Sequence, residues 1–106
     1  MSGHRIDLKP GRARVLAGDE VIADTENAIL LRETGYPVRA YIPREDIQTS
    51  VDPAEKTSFC PFKGDASYWT VGGRENAAWS YEEPLAEVEA IRGRLAFYPD
   101  RFKVEV

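Results

Sequence analysis

The chain has 106 residues and very few of the groups that usually signal chemistry: one cysteine, Cys60, and one histidine, His4. A single thiol excludes an internal disulfide. A structural zinc site asks for four Cys or His ligands, so zinc of the usual kind is excluded and no metal or other cofactor is expected. A Ser-His or Cys-His nucleophilic pair would have only His4 to draw on, in a stretch expected to fray. No basic run appears and the net charge is -4, which argues against nucleic acid or an anionic membrane surface as partner. No apolar run approaches the ~20 residues of a membrane span, and Met1–Pro10 lacks the apolar stretch of a signal peptide. A cytoplasmic location is the expectation. Internal repeats, low-complexity tracts and linkers are also missing.

What remains is a soluble, globular composition, with 42% hydrophobic and 30% charged residues. A chain of this length makes one domain and buries roughly two-thirds of its extended-chain surface. Residues 1–10 are polar and end at Pro10-Gly11, so they read as a flexible tail, with residues 11–106 as a single domain, monomeric or weakly dimeric. "RARVLAGDEVIAD" (12–24) gives two β-favouring runs around Gly18-Asp19, a two-residue hairpin signal. "NAILLRE" (27–33) suits a strand or a helical turn; the following "TGYP" and "VRAYI" favour strand, turn, strand. Pro43 opens a short helical turn over "REDI", and Asp52-Pro53 marks a bend. "DASYWT" and "NAAWSY" flank Gly72-Gly73 as a second hairpin. Leu85, Val88 and Ile91, spaced by three and followed by Gly93, predict a short helix near 84–92. "RLAFY" and "RFKVEV" close the chain as strands. The fold class is mainly β and antiparallel, with one small helix.

The stretch "TSFCPFKGDASYWT" (57–70) carries Cys60, Lys63 and four of the eleven aromatic residues. With a two-residue Gly72-Gly73 loop, Tyr68 falls opposite Ala77, Ala66 opposite Trp79, and Trp69 opposite Asn76. Tyr68 and Trp79 then share one face as diagonal neighbours, and Trp69 points to the other. Large rings beside alanines leave a recess, filled by other strands or by a ligand. In "CPFKG", Pro61 and Gly64 favour a tight turn that brings the Lys63 ammonium towards the Cys60 sulfur. A nearby cation lowers a thiol pKa, whereas a single cysteine otherwise serves as a small buried hydrophobe. Arg44, Glu45 and Asp46 offer either an acid–base pair or a solvated, capped turn. Asn76 is suited to a ligand hydrogen bond or to capping its turn.

"YIPREDI", "TSFCPFKGDASYW", "ENAAWSY" and "LAFYPDRFKVEV", in this order and spacing, resemble the bacterial and fungal family called domain of unknown function 427, over residues 11–106. A nucleotidyltransferase-like label used for that family finds no glycine-serine phosphate loop and no spaced metal-binding aspartates here. The resemblance implies a β-tent or Mss4-like fold, two small antiparallel sheets meeting at an angle, like methionine sulfoxide reductase B and the thalidomide-binding domain of cereblon. Many such proteins hold zinc through two paired-cysteine motifs, which this chain lacks. They bind small ligands in an aromatic-lined pocket on one sheet, which makes Tyr68, Trp69, Trp79 and Tyr81 the pocket candidates here.

Two functions follow as expectations. The first is a binding module for a small molecule or a modified side chain, with aromatic walls and Arg44, Glu45, Lys63 and Asn76 as polar anchors beside Cys60. The alternative is an enzyme using Cys60 as a redox or nucleophilic thiol, which needs an external reductant because no resolving cysteine exists. An interaction domain that recruits partners through edge strands is a third reading.

Overall fold

Along the first strand, Ala13 and Val15 are buried while Arg12 and Arg14 are exposed, the period of two that a half-buried strand requires. A computed structural model of the chain describes residues 3–106 and shows a mainly β protein. Its strands are β1 (Ile6–Ala17), β2 (Glu20–Glu33), β3 (Arg39–Tyr41), β4 (Val51–Cys60), β5 (Gly64–Val71), β6 (Arg74–Ser80), β7 (Leu95–Phe97) and β8 (Lys103–Glu105). They form two four-stranded antiparallel sheets, ordered β3-β2-β1-β8 and β4-β5-β6-β7. The two sheets join edge to edge. Ile42, just beyond β3, exchanges backbone hydrogen bonds of 2.8 and 3.0 Å with Leu95 at the start of β7.

Strands near this seam bury both faces, and their alternate residues feed two separate cores. Ala40, Leu95 and Phe97 pack with Val15, Ile22, Val71, Ala77, Ala78 and Phe102 in one core. Tyr41, Ala96 and Trp79 pack with Leu31, Ala66, Tyr68, Tyr81, Val88 and Ile91 in the other. β2 is long enough to serve both, the first core through Ile22 and Ala23 and the second through Leu31.

Four expectations need correction. The tail is shorter than residues 1–10: Ile6 to Pro10 pair with Glu33 to Ile29 as the start of β1. Pro10 is tolerated there because β8 pairs only with Arg14 to Leu16, which leaves that end of β1 at the sheet edge. Met1 and Ser2 lie outside the described residues. Asp52-Pro53 is no turn but part of edge strand β4, which carries a register shift between Pro53 and Thr57. Proline, the irregularity and the exposed Glu55 and Lys56 guard that edge against pairing with another chain.

The expected helix near 84–92 is a kinked 3-10 segment, Ala86–Ile91, with Val88 at φ -123 and ψ 30. Apolar residues spaced by three match the three residues per turn of a 3-10 helix, and Val88 and Ile91 are buried while Leu85 stays exposed. A second 3-10 turn covers Arg44–Asp46. No α-helix occurs among the described residues, and none of their helices is long and apolar enough to cross a membrane.

The Gly72-Gly73 loop forms as the dipeptide suggests, with φ of 54 and 84 and with Val71 opposite Arg74. Beyond it the register shifts: Trp69 faces Ala78 and Tyr68 faces Trp79. Asn76, at φ 53, is the only non-glycine residue with positive φ among those described, and it absorbs the extra length of β6. The shift is an even number of residues, so Tyr68 and Trp79 keep a common face, while Ala77, beside the irregular Asn76, turns into the other core with Ala78. Tyr68 and Trp79 are direct neighbours instead of diagonal ones, and Trp69 packs against the opposite core. Asparagine tolerates this left-handed conformation where a β-branched residue does not. Asn76→Val is expected to cost about 1–2 kcal/mol in urea unfolding, with Asn76→Gly near the wild type. A valine variant as stable as the parent would contradict this.

Candidate functional site

The second core does not close completely. Between β2–β3 and β5–β6 lies a cavity of about 560 Å³. Its walls come from distant parts of the chain. Leu31 and Glu33 of β2 and Arg39 and Tyr41 of β3 share one face, because Leu31 pairs with Arg39 and residues two apart point the same way. Tyr68 of β5 and Trp79 of β6 stand opposite, with Tyr81 just after β6 and Tyr98 just after β7. The β4–β5 turn supplies Phe59, Cys60, Phe62 and Lys63. In that turn the Lys63 N–H donates to the Cys60 carbonyl at 3.2 Å, and Gly64 leaves it at φ 114. The Leu85 N–H donates to the Lys63 carbonyl at 2.9 Å and pins the turn to the following segment.

The rings interlock. Tyr98 lies 4.5 Å from Trp79 and 6.4 Å from Tyr68, centroid to centroid, and Tyr41 meets Trp79 edge-on at 6.4 Å. The Trp79 Nε1–H donates to Tyr41 Oη at 3.2 Å. Burial pushes the Tyr41 hydroxyl above its ordinary pKa, and it does the same at Tyr81. Both phenols therefore stay protonated as neutral hydrogen-bonding groups. At Tyr68 burial pushes upward too, but hydrogen bonds from Ser58 and Tyr98 and the Lys56 ammonium, 4.6 Å from the ring, bring the group below its usual value.

One ion pair sits in the wall. Lys63 Nζ donates to Glu33 Oε1 at 2.7 Å, with both side chains 8% exposed. His4 Nε2 reaches the other carboxylate oxygen at 2.9 Å while its ring stacks on Phe62 at 3.9 Å. Burial alone would raise the Glu33 pKa, but the Lys63 and His4 hydrogen bonds outweigh it and hold the carboxyl below its ordinary value. Lys63 Nζ also lies 3.5 Å from the half-buried Cys60 Sγ. No group of three or more His, Cys, Asp or Glu side chains is arranged to hold a metal ion among the described residues.

Of the residues singled out from the sequence, Cys60, Lys63, Tyr68, Trp79 and Tyr81 meet at this cavity. Arg44, Glu45, Trp69 and Asn76 do not. Trp69 belongs to the opposite face, where its Nε1–H donates to Ser80 Oγ at 2.9 Å and the Arg44 guanidinium lies 4.2 Å from its ring. Arg44 also pairs with Glu82 at 3.3 Å, Glu45 is exposed, and Asn76 is spent on the register shift. A family model described as a domain of unknown function (DUF427) matches residues 5–106.

The chain belongs to the DUF427 family. No curated protein matches it. This DUF427 domain places at its cavity several residues that the sequence reading missed: His4, Glu33, Arg39, Tyr41 and Tyr98. A signal for two of them was present. In "VRAYI", Arg39 and Tyr41 are two apart and must share a face. Glu33 and His4 carry no such mark, because the pairing of β1 with β2 brings them together and only the packing of the two sheets sets Glu33 beside Lys63.

Proposed function

We propose that this DUF427 domain is a binding module whose small organic ligand, free or as a modified side chain, sits in the cavity around Trp79. The observation that carries this reading is the convergence of Tyr41, Tyr68, Trp79, Tyr81 and Tyr98 on one cavity of about 560 Å³. That volume lies in the range of small-molecule sites, and the mixture of apolar rings with a few polar groups is their usual lining. The Tyr81 hydroxyl supports it further. It makes no hydrogen bond with the described residues, yet no buried side-chain polar atom among them is left without a partner, so this oxygen keeps access to solvent, on a residue that lines the cavity.

The test is thermal unfolding against anionic, neutral and cationic aromatic compounds. A ligand at ten times its Kd adds about 1.4 kcal/mol, which for a domain of this size raises Tm by about 5 °C or more. At least one class is expected to do so, and Trp79→Ala to abolish the shift. A panel without any shift at millimolar concentration would count against the reading.

The alternative, a thiol enzyme, draws on one contact, the 3.5 Å between Lys63 Nζ and Cys60 Sγ. An ammonium at that distance favours the thiolate. The same lysine is closer to Glu33, at 2.7 Å, which offsets that effect. Alkylation of Cys60 faster in the native protein than in urea would favour the enzyme reading. Slower alkylation favours the binding module.

A further inference from the structure

We propose that the ligand is an aromatic monoanion whose carboxylate or similar group is held by Arg39. This rests on the binding-module reading and adds the ligand's charge and its anchor. The argument begins with the sign of the cavity. Among the described residues Glu33 is the only carboxylate lining it, against two basic side chains, Arg39 and Lys63, so the cavity carries an excess of positive charge within a chain of net charge -4. A cation at the wall of a concave, low-dielectric site draws anions more strongly than one on an open surface.

The two cations are not equivalent. Lys63 is neutralised by Glu33 at 2.7 Å, and both side chains are 8% exposed. Its charge is spent inside the wall. Arg39 forms no ion pair and no side-chain hydrogen bond among the described residues, and its guanidinium carbon stands 5.5 Å from the Trp79 ring centroid. A guanidinium held over an indole at this distance by cation–π attraction still has its planar fork of N–H donors to offer. That fork fits a carboxylate through two parallel hydrogen bonds, a geometry an ammonium does not offer. The rings of Tyr68, Trp79 and Tyr98 are then left for the ligand's apolar body, and the unpartnered Tyr81 hydroxyl for a second polar contact. Lys63 is the one cation among the anchors expected from the sequence that reaches this cavity; its ion pair with Glu33 moves the anchoring role to Arg39.

The same aromatic walls would also suit a quaternary ammonium ligand, and charge separates the two. The experiment is isothermal titration of the intact protein with 2-naphthoate, 2-naphthamide and benzyltrimethylammonium, repeated on Arg39→Met and Arg39→Lys. The expected result is at least tenfold tighter binding of the naphthoate than of the amide in the wild type. Arg39→Met should remove that preference and leave amide affinity within about twofold, and Arg39→Lys should restore part of it. Should Arg39→Met fail to fold, the naphthoate-to-amide ratio in the wild type and in Arg39→Lys still decides. Equal binding of acid and amide would overturn the proposal and leave the binding module standing. So would wild-type protein that binds the ammonium more tightly than the naphthoate. Failure of all three probes would overturn both.

Discussion

Glu33→Gln should lose about 3–5 kcal/mol of stability at neutral pH, because it leaves the Lys63 ammonium buried without its counter-charge. Lys63 is 7% exposed, so water at the cavity wall replaces the lost carboxylate only in part. Removing both charges is a different experiment. Glu33→Leu with Lys63→Met should recover most of the loss, since a buried pair roughly breaks even against apolar side chains of similar volume. The pH dependence has a definite sign. The Glu33 carboxyl lies below its ordinary value in the folded protein, burial pushing it up less than Lys63 and His4 pull it down. Its contribution is therefore complete above the ordinary carboxylate range and disappears as pH falls through the lower, folded value. The gap between wild type and Glu33→Gln in urea midpoint should narrow across that acidic window. A gap constant from neutral to strongly acidic pH would contradict this account of the pair.

Trp79→Ala should cost about 3–5 kcal/mol, the range for emptying a buried aromatic site. The ring is 8% exposed and touches Tyr41 and Tyr98, and it also meets Arg39. Its loss also deprives the buried Tyr41 hydroxyl of its donor. Trp79→Phe keeps much of the ring packing and should cost about half as much in urea unfolding, while Tyr41→Phe, which removes one hydrogen bond, should cost about 1 kcal/mol. A Trp79→Ala variant as stable as Trp79→Phe would mean that the ring only fills space the chain can reclaim by collapse.

Much of this architecture is legible from local pattern. Gly72-Gly73 specifies a tight hairpin, and the period of two separates Tyr68 and Trp79 from Trp69 whatever the register, provided any shift is even. The direct pairing of Tyr68 with Trp79 was not legible, because it depends on Asn76 adopting positive φ, which its local sequence permits without requiring. The start of β1 is legible in the alternation of Ile6 and Leu8 with Asp7 and Lys9, a pattern that the polar composition of residues 1–10 masks. The candidate site was half legible. Its aromatic half lies on one hairpin and its flanks, close in sequence. Its charged half comes from β1–β2 and β3 pairings across the other sheet, and no local pattern reports that Glu33 takes Lys63 or that Arg39 is left free. Arg44, Glu45 and Trp69 belong to the same sequence motifs as the site residues, but the 3-10 turn and the strand alternation send them elsewhere.

The two tryptophans provide the most direct test of the central claim, that the recess around Trp79 holds a ligand. Their indole N–H groups have different acceptors in different cores: Tyr41 Oη at 3.2 Å for Trp79, and Ser80 Oγ at 2.9 Å for Trp69. Each gives its own resonance in a nitrogen–proton correlation spectrum, assigned with Trp69→Phe. Titration with 2-naphthoate is predicted to move the Trp79 signal saturably while the Trp69 signal stays in place. A Trp79 signal unmoved at millimolar naphthoate, or a shift of Trp69 alone, would contradict the account.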